Sequence, residues 1–121
     1  MKTMLIVDDS ACSRAIIRHA VSKLDVKIVG EANNGKKGVE LYLKLVPDIV
    51  TMDLAMHDGC GIEALKEIMS INNNASVIVI SSIGRQEKVA AEATALGAKK
   101  VLDKSSIGDS LTAYLKEAWS L

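Results

Sequence analysis

Two adjacent carboxylates, Asp8-Asp9, close the apolar run Met4-Leu5-Ile6-Val7. Side by side they repel: two unit charges about 4 Å apart cost on the order of 4 kcal/mol at an effective dielectric near 20. A plain turn needs no such pair, so a compensating cation is expected. A third carboxylate, Asp53, closes Ile49-Val50-Thr51-Met52 in the same way, Ser81-Ser82 follow a fourth apolar run, and Leu102-Asp103 lead into Lys104. Convergent carboxylates offer only oxygen, which selects a hard ion. A partly hydrated, octahedral Mg²⁺ suits one or two carboxylates plus a phosphate oxygen.

These residues converge only if the elements beneath them form one sheet. Short apolar runs at residues 4–7, 26–29, 49–52, 77–80 and 101–102 predict strands, several of them apolar enough for parallel strands covered on both faces. Amphipathic segments lie between them. Ala15, Ile16, His19, Ala20 and Leu24 mark the first helix, Gly35–Leu45 the second, and Ile62, Leu65, Ile68 and Met69 the third. Gln86–Leu96, stopped by Gly97, and Ile107–Trp119 complete the set. Fivefold β-α alternation predicts an open α/β fold with right-handed crossovers, a parallel sheet between two helical layers. Ligands in such folds bind beyond the carboxyl ends of the strands, where strand order reverses. If the strand order is 2-1-3-4-5, Asp8, Asp9 and Asp53 meet there, flanked by Ser82 and Lys104. Taken singly, an aspartate or serine at a strand end is an ordinary cap and a lysine is ordinary solvated surface. Placed together on successive strand ends, they read as a site.

Bulk properties exclude several functions. The chain has 121 residues, 49% of them hydrophobic, and its fifteen basic residues balance fifteen acidic ones. That is one domain, 1–121, with an aliphatic core, since Phe is absent and only Tyr42, Tyr114 and Trp119 are aromatic. Neutral charge and few aromatics argue against nucleic acid, and no apolar run is long enough for a signal peptide or a membrane span. Cys12 and Cys60 read as free cytosolic thiols, and with His19 and His57 they show no metal-ligand spacing.

The quoted residues carry a resemblance along the whole chain. Val7-Asp8-Asp9-Ser10 with Arg14, Asp53 followed by Met56 and Gly61, Ser82, Gly97-Ala98 and Lys104 resemble the response-regulator receiver domains of two-component systems, in their stand-alone CheY-like form. The resemblance implies the flavodoxin-like doubly wound (βα)5 fold in order 2-1-3-4-5, with no output domain attached. It implies that Asp53 is the phosphoacceptor for a sensor histidine kinase or phosphotransfer protein. Asp8, Asp9, Asp53 and the Ala55 backbone carbonyl would hold Mg²⁺, while Lys104 and the Ser82 hydroxyl would bind phosphoryl oxygens. Output would be by a population shift that remodels the last helix-strand-helix face for a downstream target, as in chemotaxis or a relay. Here that face would include Lys88, Lys99, Lys100 and residues near 107–111. A cytoplasmic monomer or weak dimer is expected, acting as phosphoacceptor and not as a turnover enzyme.

Four positions depart from the pattern. Ser105 replaces the usual cis proline after Lys104, so a trans peptide is expected, which opens a different placement of the lysine. His57 replaces a proline. Val101 replaces the aromatic switch residue, and Ile83 stands where a small residue usually leaves room for the phosphoryl group, so slower transfer is expected. Two alternatives stay open. A degenerate receiver would bind partners without phosphorylation. An Asp-nucleophile phosphatase would want a general acid two residues after Asp53, where Ala55 stands. The P-loop-like stretch Gly30–Lys37 lacks its final Ser/Thr and reads better as a helix start.

Overall fold

Apolar runs of two to four residues seed the strands and the amphipathic segments between them become helices, in strict alternation. In the computed structural model, which describes residues 1–56, 61–82 and 86–121, the order is β1 (Lys2–Val7), α1 (Ala11–Val21), β2 (Val26–Ala32), α2 (Gly35–Leu45), β3 (Ile49–Asp53), α3 (Gly61–Ile71), β4 (Val77–Ser81), α4 (Gln86–Leu96), β5 (Lys100–Asp103) and α5 (Ile107–Trp119). A 3-10 turn at Lys104–Ser106 joins β5 to α5. His57, Cys60 and Ile83 lie outside the described residues. No helix among the described residues is long and apolar enough to cross a membrane.

All five strands are parallel, in order β2-β1-β3-β4-β5. Alternation along the strands splits the core in two. Leu5, Val7, Val50, Met52, Val77 and Val79 pack under α2, α3 and α4, against residues such as Tyr42, Leu65 and Ile68. Met4, Ile6, Ile49, Ile78, Ile80 and Leu102 pack under α1 and α5, against Ile17, Val21, Leu111 and Leu115. Fully burying one such aliphatic side chain contributes roughly 1.5–3 kcal/mol, so the two largely aliphatic layers hold the sheet between them.

Element ends follow local chemistry. Ser10 accepts the Ser13 N–H at 3.2 Å and starts α1 four residues before its apolar periodicity begins. Asn34 accepts the Lys37 N–H at 2.8 Å, so the second half of the P-loop-like stretch is a capped helix start, while Gly30–Ala32 belong to β2. The second strand runs three residues past its apolar run, because Glu31 and Ala32 go on pairing with Ile6 and Val7 of β1. On an edge strand such a polar residue is tolerated, which hides the extension from hydropathy.

Candidate functional site

Register places the carboxylates. Val7 of β1 lies opposite Met52 of β3, so Asp8 and Asp53, each one residue further on, stand side by side at the carboxyl end of the sheet. Both are buried, 1% and 0% exposed. Each carboxylate folds one oxygen back onto the backbone two residues later. Asp8 Oδ1 accepts the Ser10 N–H at 2.8 Å, and Asp53 Oδ1 accepts the Ala55 N–H at 2.9 Å. Such Asx turns fix the side-chain rotamers and leave the second oxygens, both Oδ2, to face the pocket.

Those oxygens meet Lys104. Its Nζ lies 2.7 Å from Asp53 Oδ2 and 3.5 Å from Asp8 Oδ2. The lysine arrives through a trans peptide, since no peptide bond among the described residues is cis. Asp103 Oδ1 accepts the Ser105 N–H at 3.0 Å, which sets the turn that aims Lys104 into the pocket.

The electrostatics are unbalanced. Burial pushes the Asp8 carboxyl above the usual range and the Ser10 N–H opposes this; the Asp53 charge adds to the rise and Lys104 opposes it. Burial also works against the Lys104 ammonium, but the Asp53 hydrogen bond and the charges of Asp53 and Asp8 outweigh it and leave the lysine above its ordinary value. Half-buried Asp9 completes a cluster in which one carboxylate oxygen from each of Asp8, Asp9 and Asp53 lies within 4.8 Å of the others. Among the described residues, the Lys104 ammonium is shared between the buried Asp8 and Asp53 carboxylates. Asp8 Oδ2 is buried with no hydrogen-bond partner among the described residues, only the long contact to Lys104. An all-oxygen set with an under-neutralised buried anion fits a hard divalent cation.

The family model for the response regulator receiver domain matches residues 4–116. The chain belongs to this family. It is similar to the chemotaxis protein CheY of Thermotoga maritima, 47% identical over 103 residues and 85% of each chain. CheY of Listeria monocytogenes is 38% identical over 98% of each chain. Among solved structures, the response regulator domain of Thermotoga maritima CheB superposes with TM-score 0.86 at 31% identity, over 100% of this chain and 98% of that one. A CheX-CheY complex with BeF3 and Mg²⁺ from Borrelia burgdorferi gives TM-score 0.89 at 28% identity, over 98% and 89% of the chains.

In this receiver domain the remaining predicted positions lie at the ends of β3 and β4, on β5 and on the helices. Ser82 follows β4 and is exposed, one residue past Ser81, which lies opposite Asp103. Ala55 is exposed, and its N–H is engaged on Asp53. Val101 is half-buried on β5 and packs against the core under α2, α3 and α4. Lys88, Lys99 and Lys100 are exposed as expected, but Ile107 and Leu111 are not surface residues. At i and i+4 they form the buried stripe that seats α5 on the sheet, leaving Asp109 exposed between them. Cys12 is free and exposed.

Three polar residues near the pocket had no assigned contact in the sequence reading. Arg14 Nη1 donates to the Asp8 carbonyl at 2.7 Å, and its Nε lies 3.2 Å from Glu31 Oε1. Arg14 stands in the motif, but its partner Glu31 lies in the stretch Gly30–Lys37, read from the sequence as a helix start. Thr51 sits one pleat below Asp53 on the same strand face, fully buried, its hydroxyl without a partner among the described residues. The alternation Ile49, Thr51, Asp53 was the available signal.

Proposed function

We propose that this receiver domain, one unit over residues 1–121, takes a phosphoryl group onto Asp53 from the phosphohistidine of a sensor kinase or phosphotransfer protein and signals by docking. The observation that carries this is the Lys104 ammonium bridging Oδ2 of Asp53 and of Asp8 in a pocket of three carboxylates. An Asp53 oxygen attacks phosphorus in line, the P–N bond to the donor imidazole breaks, and its electron pair returns to the ring. Bound Mg²⁺, held by Asp8, Asp9, Asp53 and the Ala55 carbonyl, would neutralise the phosphoryl oxygens. Lys104 exchanges its carboxylate partner for a phosphoryl oxygen, and the Ser82 hydroxyl donates to another. Holding Ser82 there shifts the population of output states, which a target protein reads on the α4-β5-α5 face beside Lys88, Lys99 and Lys100. The protein works in the cytoplasm as a monomer or weak dimer, and chemotaxis-type signalling is the reading its CheY relatives support.

Intact-mass spectrometry after incubation with acetyl phosphate tests this. A single phosphoryl adduct that requires Mg²⁺ and is absent from Asp53→Asn is expected. Absence of the adduct in both wild type and Ile83→Ala would instead leave a binding module that works without phosphorylation.

A further inference from the structure

Asp8 is fixed at three points besides its pocket-facing oxygen. Its N–H donates to the Ala32 carbonyl at 3.0 Å, its Oδ1 accepts from Ser10, and its own carbonyl accepts Arg14 Nη1 at 2.7 Å. The third contact alone depends on a long side chain. Arg14, 20% exposed, projects from α1, and its Nε is held at 3.2 Å by Glu31 Oε1. Glu31 comes from β2, opposite Ile6 of β1, and the same oxygen takes Arg18 Nη1 at 2.6 Å. A carboxylate on the edge strand therefore orients a guanidinium on the helix, whose other arm grips the backbone just past β1.

We propose that Arg14, oriented by Glu31, is a positioning residue that sets the affinity of the acidic pocket for its divalent cation. This rests on the metal reading above. Mg²⁺ tolerates little departure from octahedral geometry, so a loose Asp8 backbone weakens its binding. Glu31 also offsets the guanidinium charge, which keeps the clamp from repelling the cation it serves. The rigid planar fork matters, because Nε and Nη1 contact different partners at once; the point charge of lysine does not reproduce that. Were the contact an ordinary half-exposed ion pair, it would contribute almost nothing.

The test is a Mg²⁺ titration of the full chain followed by backbone amide NMR shifts, with thermal unfolding in EDTA as a check on folding. Arg14→Met and Arg14→Lys are both expected to weaken Mg²⁺ by about tenfold, the lower end of the usual effect of residues behind the ligands. Glu31→Gln should weaken it in the same direction but less, and the Arg14→Met/Glu31→Gln pair should bind no worse than Arg14→Met alone. Should Arg14→Met fail to fold, Arg14→Lys and Glu31→Gln carry the comparison. Wild-type affinity in Arg14→Met, full rescue by lysine, or additive losses in the pair would each overturn the proposal. A wild type that binds no Mg²⁺ would overturn the metal reading itself, and the clamp's role with it.

Discussion

Lys104 Nζ lies 2.7 Å from Asp53 Oδ2, a contact between residues 51 positions apart, and the same ammonium is the nearest counter-charge to buried Asp8. In the absence of a divalent ion, that ammonium is shared by two buried carboxylates, and Asp8 Oδ2 has no hydrogen-bond partner among the described residues. Asp8→Asn is therefore expected to raise stability at neutral pH by about 1 kcal/mol in EDTA, the usual gain when a functional strain is relieved. Lys104→Met should lower it by about 3 kcal/mol, because two buried carboxylates lose their partner. Urea unfolding of the three proteins measures both, and a stabilised Lys104→Met would show that the ammonium is not what holds the pocket together.

Gly61 opens α3 directly against the end of β3. A Cβ there would stand 2.7 Å from the Asp53 carbonyl oxygen and 2.7 Å from Leu54 Cα, both backbone atoms that cannot rotate away. Gly61→Ala is expected to cost about 2–3 kcal/mol through overpacking and to slow acetyl phosphate labelling by displacing Asp53. Chemical denaturation and the labelling rate report the two effects separately.

The Thr51 hydroxyl is buried without a partner among the described residues. An unsatisfied buried hydroxyl costs about 1–3 kcal/mol, while valine keeps the shape. Thr51→Val should gain about 1 kcal/mol in calorimetry and Thr51→Ser should lose stability, since it keeps the hydroxyl and removes the methyl that packs.

Val46 ends α2 in the left-handed region, with φ 42° and ψ 60°, and is 65% exposed. A β-branched residue pays roughly 1–2 kcal/mol there, and glycine avoids the clash. Val46→Gly is expected to raise stability by about 1 kcal/mol, less than the full strain because the unfolded chain also gains freedom. An unchanged urea midpoint would argue against strain at this cap.

Asp48 ties the start of β3 to β1 by accepting the Thr3 N–H at 2.8 Å and its hydroxyl at 3.1 Å. The Thr3 backbone N–H is the main reason its carboxyl lies below the ordinary value of 3.8. A depressed folded-state pKa means the unfolded chain binds the proton first as pH falls. The stabilisation is thus complete above the unfolded pKa and is lost as pH drops through the folded one. Discounted for exposure, it is about 1 kcal/mol. Asp48→Asn should be less stable than wild type at pH 7, and the two denaturation curves should converge in strong acid.

The alternation of apolar runs with amphipathic segments was enough to determine the βα order, and the carboxylates closing residues 4–7 and 49–52 marked the end of the sheet that carries the site. Both are local: a period of 2 or 3.6 and a change from apolar to acidic are written in consecutive residues. The contacts of the site are not local. Glu31 belongs to β2 because an edge strand tolerates a polar residue, and only the register with Ile6 brings it to Arg14. Ile107 and Leu111 face inward because α5 packs on β5 and its neighbours, which turns two residues of an expected docking face into core. Lys104 reaches Asp53 through a trans peptide because Asp103 caps the turn after β5. Residue types and spacing established which groups could do the chemistry. Strand register and helix seating, set by the burial of the whole core, decided which of their atoms meet.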